Sequence, residues 1–246
     1  MISSEDTPTP AIRLGILQTG TVPDEMADKH ADYNQLFVDL LGPNEFDYRH
    51  WAVLDGEFPN STDDADAWLI TGSRFGSYED HAWIPPLEDF IRQIYTADQP
   101  LVGICFGHQV IAQAMGGRVE KFSGGWSVGR VEYNLDKSVF GADSMSASDR
   151  TALLAFHQDQ VVQAPDSAVT VGSTDFCKHA ALLYGNRALT IQPHPEFNSE
   201  YIGGLLEARR AILPEEIVNK AAQTLALPIA REPIANTMRK FLQRDL

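Results

Sequence analysis

Residues Pro100 to Gln109 read PLVGICFGHQ, and this stretch decides the fold. Pro100 to Ile104 is a short apolar run of the kind buried on both faces of a parallel sheet. Val110 to Met115 continues a helix that ends at Gly116-Gly117. Cys105 sits at the joint where the buried strand passes directly into that helix. A thiol there faces unpaired N–H groups and the positive end of the helix macrodipole, both of which favour thiolate. Gly103 and Gly107 permit the tight turn such a joint needs. The competing reading is a buried structural cysteine with packing glycines. Chance alone produces Gly-x-Cys-x-Gly-x-Gln in fewer than roughly one chain per thousand of this length.

Working outward, Ala11 to Gln18 (AIRLGILQ) reads as a buried strand. Between Met26 and Leu41, Tyr33, Leu36, Phe37 and Leu40 recur at i, i+3, i+4 and i+7, predicting a helix stopped by Gly42-Pro43. Phe46 to Leu54 is a second strand, followed by an acidic loop through Asp63 and Asp64. Ala67 to Thr71 is a third strand ending at Gly72, and Pro85-Pro86 open a helix over Leu87 to Ala97. Strands alternating with helices imply crossovers and a mostly parallel sheet.

Beyond residue 117 the pattern changes. VGRVEYNL, TALLAFH, AVTVGST, ALLYG and RALTIQ, within residues 118–192, are short strands between turn residues and predict a more antiparallel section. Residues 199–246 read as a helical extension with breaks at Pro214, Pro228 and Pro233. The expected architecture is α/β: one domain over 1–246, with a mostly parallel central sheet flanked by helices, an added antiparallel section and a disordered start over 1–10.

With 43% hydrophobic and 22% charged residues among 246, the chain has the composition of a soluble domain. A formal charge of -15, from 34 acids against 19 bases, disfavours nucleic acid as a partner. No apolar window approaches the ~20 residues needed to span a bilayer, and the polar start MISSEDTPTP lacks the apolar core of a signal peptide. Two cysteines 72 residues apart form no disulfide framework, so free thiols and a cytoplasmic location are expected.

Near the end of the last strand stands Ile191-Gln192-Pro193-His194-Pro195-Glu196-Phe197. Pro195 pushes His194 into an extended geometry, and extended residues two apart point the same way. His194 and Glu196 then lie side by side, the carboxylate orienting the imidazole as the third member of a triad. The histidines at 30, 50, 81, 108 and 179 show no partner spacing and read as surface or packing residues.

The Gly-x-Cys-x-Gly-x-Gln turn followed by His-x-Glu resembles the class I glutamine amidotransferase family, with motifs in the same order over about residues 11 to 200. Among stand-alone members the chain looks most like the γ-glutamyl peptidase type, through Thr71-Gly72-Ser73, Gly125-Trp126 and His157-Gln158-Asp159. The resemblance implies a flavodoxin-like fold, with Cys105 as nucleophile, His194 as base and Glu196 as its orienter. It implies an oxyanion hole from the N–H of Phe106 and one from the loop Thr71-Gly72-Ser73-Arg74. Most of the family has a Gly-Gly-Pro-like loop there, so Gly72 and Ser73 both remain candidates. It further implies that Gln109 and the backbone around Gly125 and Trp126 hold the α-amino and α-carboxylate groups of a small-molecule γ-glutamyl substrate. His157 and Asp159 would line the entrance.

Neither metal nor organic cofactor is expected, since zinc-type spacings, P-loops and dinucleotide glycine motifs are absent from the sequence. Three functions compete: a self-contained γ-glutamyl peptidase or glutaminase, an amidotransferase subunit supplying ammonia to a separate synthetase, and a binding protein retaining the fold. An intact triad favours catalysis, and the want of a synthetase domain in this sequence favours the first.

Overall fold

The computed structural model describes residues 11–146 and 149–245. The disordered start expected over 1–10 lies outside the described residues. The first half alternates as expected: β1 (Arg13–Gln18), α1 (Tyr33–Leu41), β2 (Asp47–Ala52), β3 (Ala67–Ile70), α2 (Ile84–Thr96), β4 (Leu101–Ile104) and α3 (Phe106–Ala114). The second half carries β5 (Arg118–Lys121), β6 (Ser127–Leu135), α4 (Lys137–Phe140), β7 (Thr151–His157), β8 (Asp159–Gln163), β9 (Val169–Ser173), β10 (Ala181–Tyr184) and β11 (Ala188–Ile191). Three helices follow: α5 (Ser199–Ala208), α6 (Glu215–Thr224) and α7 (Arg231–Gln243).

Nine strands form one sheet in the order β2-β1-β3-β4-β11-β10-β9-β6-β7, while β5 and β8 pair as a separate ribbon. From β2 to β11 the pairings are parallel; from β11 to β7 they are antiparallel. The register aligns Ile70 with Gly103 and Ile104 with Ile191. The carboxyl ends of β3, β4 and β11 therefore open side by side, at the crevice where ligands enter such sheets.

The sheet is covered on both faces. Leu14, Ile16, Leu69, Val102 and Leu189 point to a layer made by α1 and α7, with Phe37, Leu41, Met238 and Phe241. On the other face Leu17, Trp68, Ile70 and Leu101 pack against α2 and α3, with Trp68 edge-on to Phe90 at 5.0 Å. Each such side chain contributes about 1.5–3 kcal/mol by leaving water. Residues 199–245 are thus no appendage, because α7 completes a core layer.

Two expected boundaries move. The helix predicted from Met26 starts only at Tyr33, because the Asp32 carboxylate accepts from the N–H of Tyr33 and of Val22, both at 2.9 Å, and caps it there. Pro233 breaks nothing: it lies in the first turn of α7, where an N–H would have no intrahelical acceptor. Pro214 does precede α6 directly, as its N-cap.

Candidate active site

The joint after β4 takes the shape the glycines foretold. Cys105 has φ 52° and ψ -101°, a conformation that costs a non-glycine residue on the order of 1–3 kcal/mol. Its neighbours over-determine it. A Cβ on Gly103 would lie 2.5 Å from Ile111 Cδ1, and one on Gly107 would collide with the Ile70 carbonyl oxygen. The Cys105 N–H donates to the Ile191 carbonyl at 2.9 Å, and the Gly107 N–H to the Thr71 carbonyl at 3.2 Å. The turn is stitched to both flanking strand ends. Cys177, by contrast, lies in the core, where burial pushes its thiol up to about 12.

His194 and Glu196 meet as expected, with Nδ1 and Oε1 2.6 Å apart, both nearly inaccessible to solvent. The backbone route differs from the extended pair inferred from Pro195. His194 makes a single bridge, its N–H donating to the Leu154 carbonyl at 2.8 Å, and Pro195-Glu196 form a turn. The His194 ring stacks on Phe197 at 4.1 Å and 7°. Burial pulls the imidazole pKa down, but the charges of Glu196 and Cys105, with hydrogen bonds to both, outweigh it and hold His194 up at about 10. Among the described residues Glu196 Oε2 is buried without a hydrogen-bond partner, and His194 is the one side chain bonded to that carboxylate.

Two residues outside the expected site also hold this arrangement. Gln192, wholly buried, donates from Nε2 to Cys105 Sγ at 3.5 Å. Arg231, the first residue of α7, donates from Nε to the Pro195 carbonyl at 3.0 Å and from Nη2 to the Glu196 carbonyl at 3.2 Å. Gln192 carried a signal in its place two residues before His194. Arg231 carried none, being a lone cation 35 residues away.

Gln109 is more committed than the resemblance implies. Its Nε2 donates to the Asp159 carbonyl at 2.9 Å and to Gln192 Oε1 at 3.1 Å, which uses both amide hydrogens. It keeps only its oxygen for a ligand, so it can meet an ammonium but not a carboxylate. The N–H groups of Gly72, Ser73 and Phe106 have no acceptor among the described residues. Gly72 lies closest in: a Cβ there would stand 3.0 Å from His194 Cε1 and 3.8 Å from Cys105 Cβ. Its carbonyl is turned away and held by Thr19 Oγ1 at 3.1 Å.

A cavity of about 370 Å³ opens over these groups, lined in part by Ser73, Cys105, Gln109, Trp126, His157, Asp159 and His194. That volume is in the range of small-molecule sites. His157 is buried in the wall rather than at an entrance. Burial pushes it down to about 4 against the hydrogen bond to the Asp159 carbonyl, and Nε2 has no partner among the described residues. Burial likewise raises the Asp159 carboxyl, against the hydrogen bond from Tyr78. Gly125 stands at φ 92°, next to Trp126, whose ring meets Phe156 at 5.8 Å.

A cysteine on a strained strand-to-helix turn, facing a His–Glu pair at the end of the adjacent parallel strand, defines a class of thiol-bearing α/β proteins. The model for the family described as glutamine amidotransferase class-I matches residues 50–210, more than half of the chain, and the chain belongs to that family. It is 28% identical to γ-glutamyl peptidase 3 of Arabidopsis thaliana, over 80% of this chain and 82% of that one. It is 29% identical to one subunit of the glutamine-hydrolyzing GMP synthase of Halobacterium salinarum, over 70% and 87% respectively. The fold is that of a glutamine amidotransferase from Thermotoga maritima, with a TM-score of 0.72 at 18% identity, over 96% of this chain and 99% of that one. Among the described residues no helix is long and apolar enough to cross a membrane.

Proposed function

We propose that the protein hydrolyses γ-glutamyl amide bonds through a γ-glutamyl thioester on Cys105. The observation that carries this reading is the buried His194–Glu196 pair beside Cys105 on its strained turn. Cys105, its proton held by His194, adds as thiolate to the γ-carbonyl. The oxyanion meets the N–H of Phe106 and that of Gly72 or Ser73. Collapse breaks the C–N bond, and the imidazolium passes its proton to the departing amine. His194 then takes a proton from water, which attacks the thioester and frees glutamate and the thiol. The substrate ammonium would sit against Gln109 Oε1, and its carboxylate against the backbone near Gly125 and Trp126. No step draws on a metal or organic cofactor.

Similarity to γ-glutamyl peptidases over four-fifths of the chain favours a self-contained hydrolase acting as one domain. The place of α7 within the core supports the single domain. Two buried free thiols support work in a reducing cytoplasm. The second reading, a glutaminase subunit feeding ammonia to a separate synthetase, is favoured by the similarity to a GMP synthase component. The purified protein is expected to release glutamate from γ-glutamyl dipeptides with a higher kcat/KM than from glutamine. Mass spectrometry should find the γ-glutamyl adduct on Cys105 and none on Cys105→Ala. Inertness relieved only by a synthetase, with glutamine as the substrate, would establish the second reading instead.

A further inference from the structure

The chain is short of positive charge, with 19 bases against 34 acids, and most of its arginines are engaged. Nine of its 13 arginines pair with carboxylates: 13, 49, 92, 118, 130, 187, 210, 239 and 244. Arg231 is spent on the turn that carries Glu196. Of the rest, Arg74 and Arg209 have no carboxylate partner among the described residues, and both line the catalytic cavity. Arg74 lies over the Phe75 ring at 4.8 Å. Arg209 makes no side-chain hydrogen bond or ion pair at all among the described residues, although it is only half-exposed and its neighbour Arg210 is paired to Glu207 at 2.7 Å.

The position of Arg209 says which part of a substrate it faces. His194 stacks on Phe197, and Phe197 stacks on Tyr201 at 4.4 Å, so α5 rises directly behind the imidazole. Tyr201, Leu205 and Arg209 follow at intervals of four, one above another on one helix face. Arg209 therefore stands about two turns, roughly 12 Å, along α5 from Tyr201, the ring stacked behind Phe197. In the proposed mechanism His194 protonates the departing amine, so the leaving group lies on its side of Cys105. Gln109 and Asp159 connect to Cys105 by a separate route, through Gln192 rather than through the His194–Phe197–Tyr201 stack. A carboxylate borne by the leaving group would come toward Arg209.

We propose that Arg209 binds the free carboxylate of the amino acid or peptide released, which makes γ-glutamyl peptides with an ionised C-terminus the substrate class. This rests on the γ-glutamyl hydrolase reading and narrows it. Glutamine, whose leaving group is ammonia, has nothing for Arg209 to hold. A γ-glutamyl peptide is a net anion approaching a protein of charge -15, and an unpaired guanidinium at the cavity supplies the local attraction that the global charge denies.

The test compares γ-glutamylglycine with γ-glutamylglycinamide, which differ in that carboxylate alone. Arg209→Gln should lower kcat/KM for the acid roughly 10- to 100-fold, the scale of a charge-assisted hydrogen bond, and leave the amide within about twofold. Arg209→Lys should recover part of the loss, and Arg210→Gln should change neither substrate. Calorimetry on Cys105→Ala protein repeats the comparison without turnover: it should bind the acid more tightly than the amide, and Arg209→Gln should erase the difference. Equal losses on acid and amide, or no difference in binding between them, would overturn the proposal while hydrolysis of both left the enzymatic reading standing. Binding preference without hydrolysis would do the reverse.

Discussion

Cys105 and His194 leave the sheet from neighbouring parallel strands, at the level where Ile104 faces Ile191, yet they are held in different ways. The cysteine is fixed by what lies within a few residues of it or on the strands beside it. Gly103 and Gly107 have no room for a side chain, and the N–H groups of Cys105 and Gly107 bond to the two flanking strand ends. The histidine is fixed from far away. Its N–H reaches Leu154 on β7, the strand at the far edge of the sheet in pairing order, and the carbonyls of its turn are held by Arg231 from α7. One side of the site is built by local geometry, and the other is assembled by the fold. Perturbations should therefore separate into those that remove chemistry and those that only loosen the base.

The largest effect is expected where the His side depends on a single charge. Glu196→Gln keeps the volume and removes the carboxylate that holds the imidazolium, so kcat/KM should fall on the order of 1,000-fold, with His194→Asn at least as damaging. The double variant should lose far less than the product, because the members act as a unit. The sign for pH follows from the shift. His194 titrates above its ordinary 6.5, near 10, so its ion pair contributes stability fully below 6.5 and loses it as pH rises through about 10. In Glu196→Gln the alkaline limb of kcat/KM should move to lower pH. Multiplicative losses with an unmoved limb would dissolve the triad.

A smaller effect tests the join between the two sides. Gln192 belongs to the segment after β11 but bonds to the nucleophile, and Gln109 from α3 holds its oxygen. Gln192→Met preserves size while deleting the donor to sulfur. Alkylation of Cys105 by iodoacetamide at neutral pH should slow by about tenfold, the lower range for a hydrogen bond to a charged group. An unchanged alkylation rate would mean that the 3.5 Å contact carries nothing.

This division also decided what could be read from the chain. The parallel strands are apolar on both faces, so AWLI and LVGI stand out, and the Cys105 turn announces itself in seven consecutive residues. β5, with Val119 its only buried residue between exposed Arg118, Glu120 and Lys121, gives no such run, and its partner β8 is nearly as short and is polar at both ends. The start of α1 depends on Asp32 accepting from Val22, ten residues away, which a periodicity of Tyr33, Leu36 and Leu40 does not contain. The pairing of His194 with Glu196 was legible, but for an incomplete reason. Proline geometry suggested an extended strand, whereas a turn tied to β7 and α7 makes the contact. The double engagement of Gln109 was invisible, because Asp159 and Gln192 come to it only through the closed sheet.

The smallest effect is expected from Arg231, and it asks whether residues beyond the His–Glu turn merely fill the core or also position the base. Ile234, Ala235 and Met238 of α7 are buried in the α1 layer, and that packing should survive a change at the half-exposed first residue of the helix. Arg231→Gln shortens the reach to the Pro195 and Glu196 carbonyls and leaves both to water. Each lost bond is worth about 0.5–1.5 kcal/mol, so a loosened turn should lower kcat roughly three- to tenfold. KM should stay put, because no part of Arg231 lines the cavity. The alkaline limb set by His194 should broaden or shift downward as the ring and Glu196 drift apart, and Arg231→Lys should restore part of the rate. A purely structural role would lower Tm and leave kcat and the pH profile of the folded fraction untouched; that result would confine α7 to the core and leave the positioning of His194 to Leu154, Glu196 and Phe197.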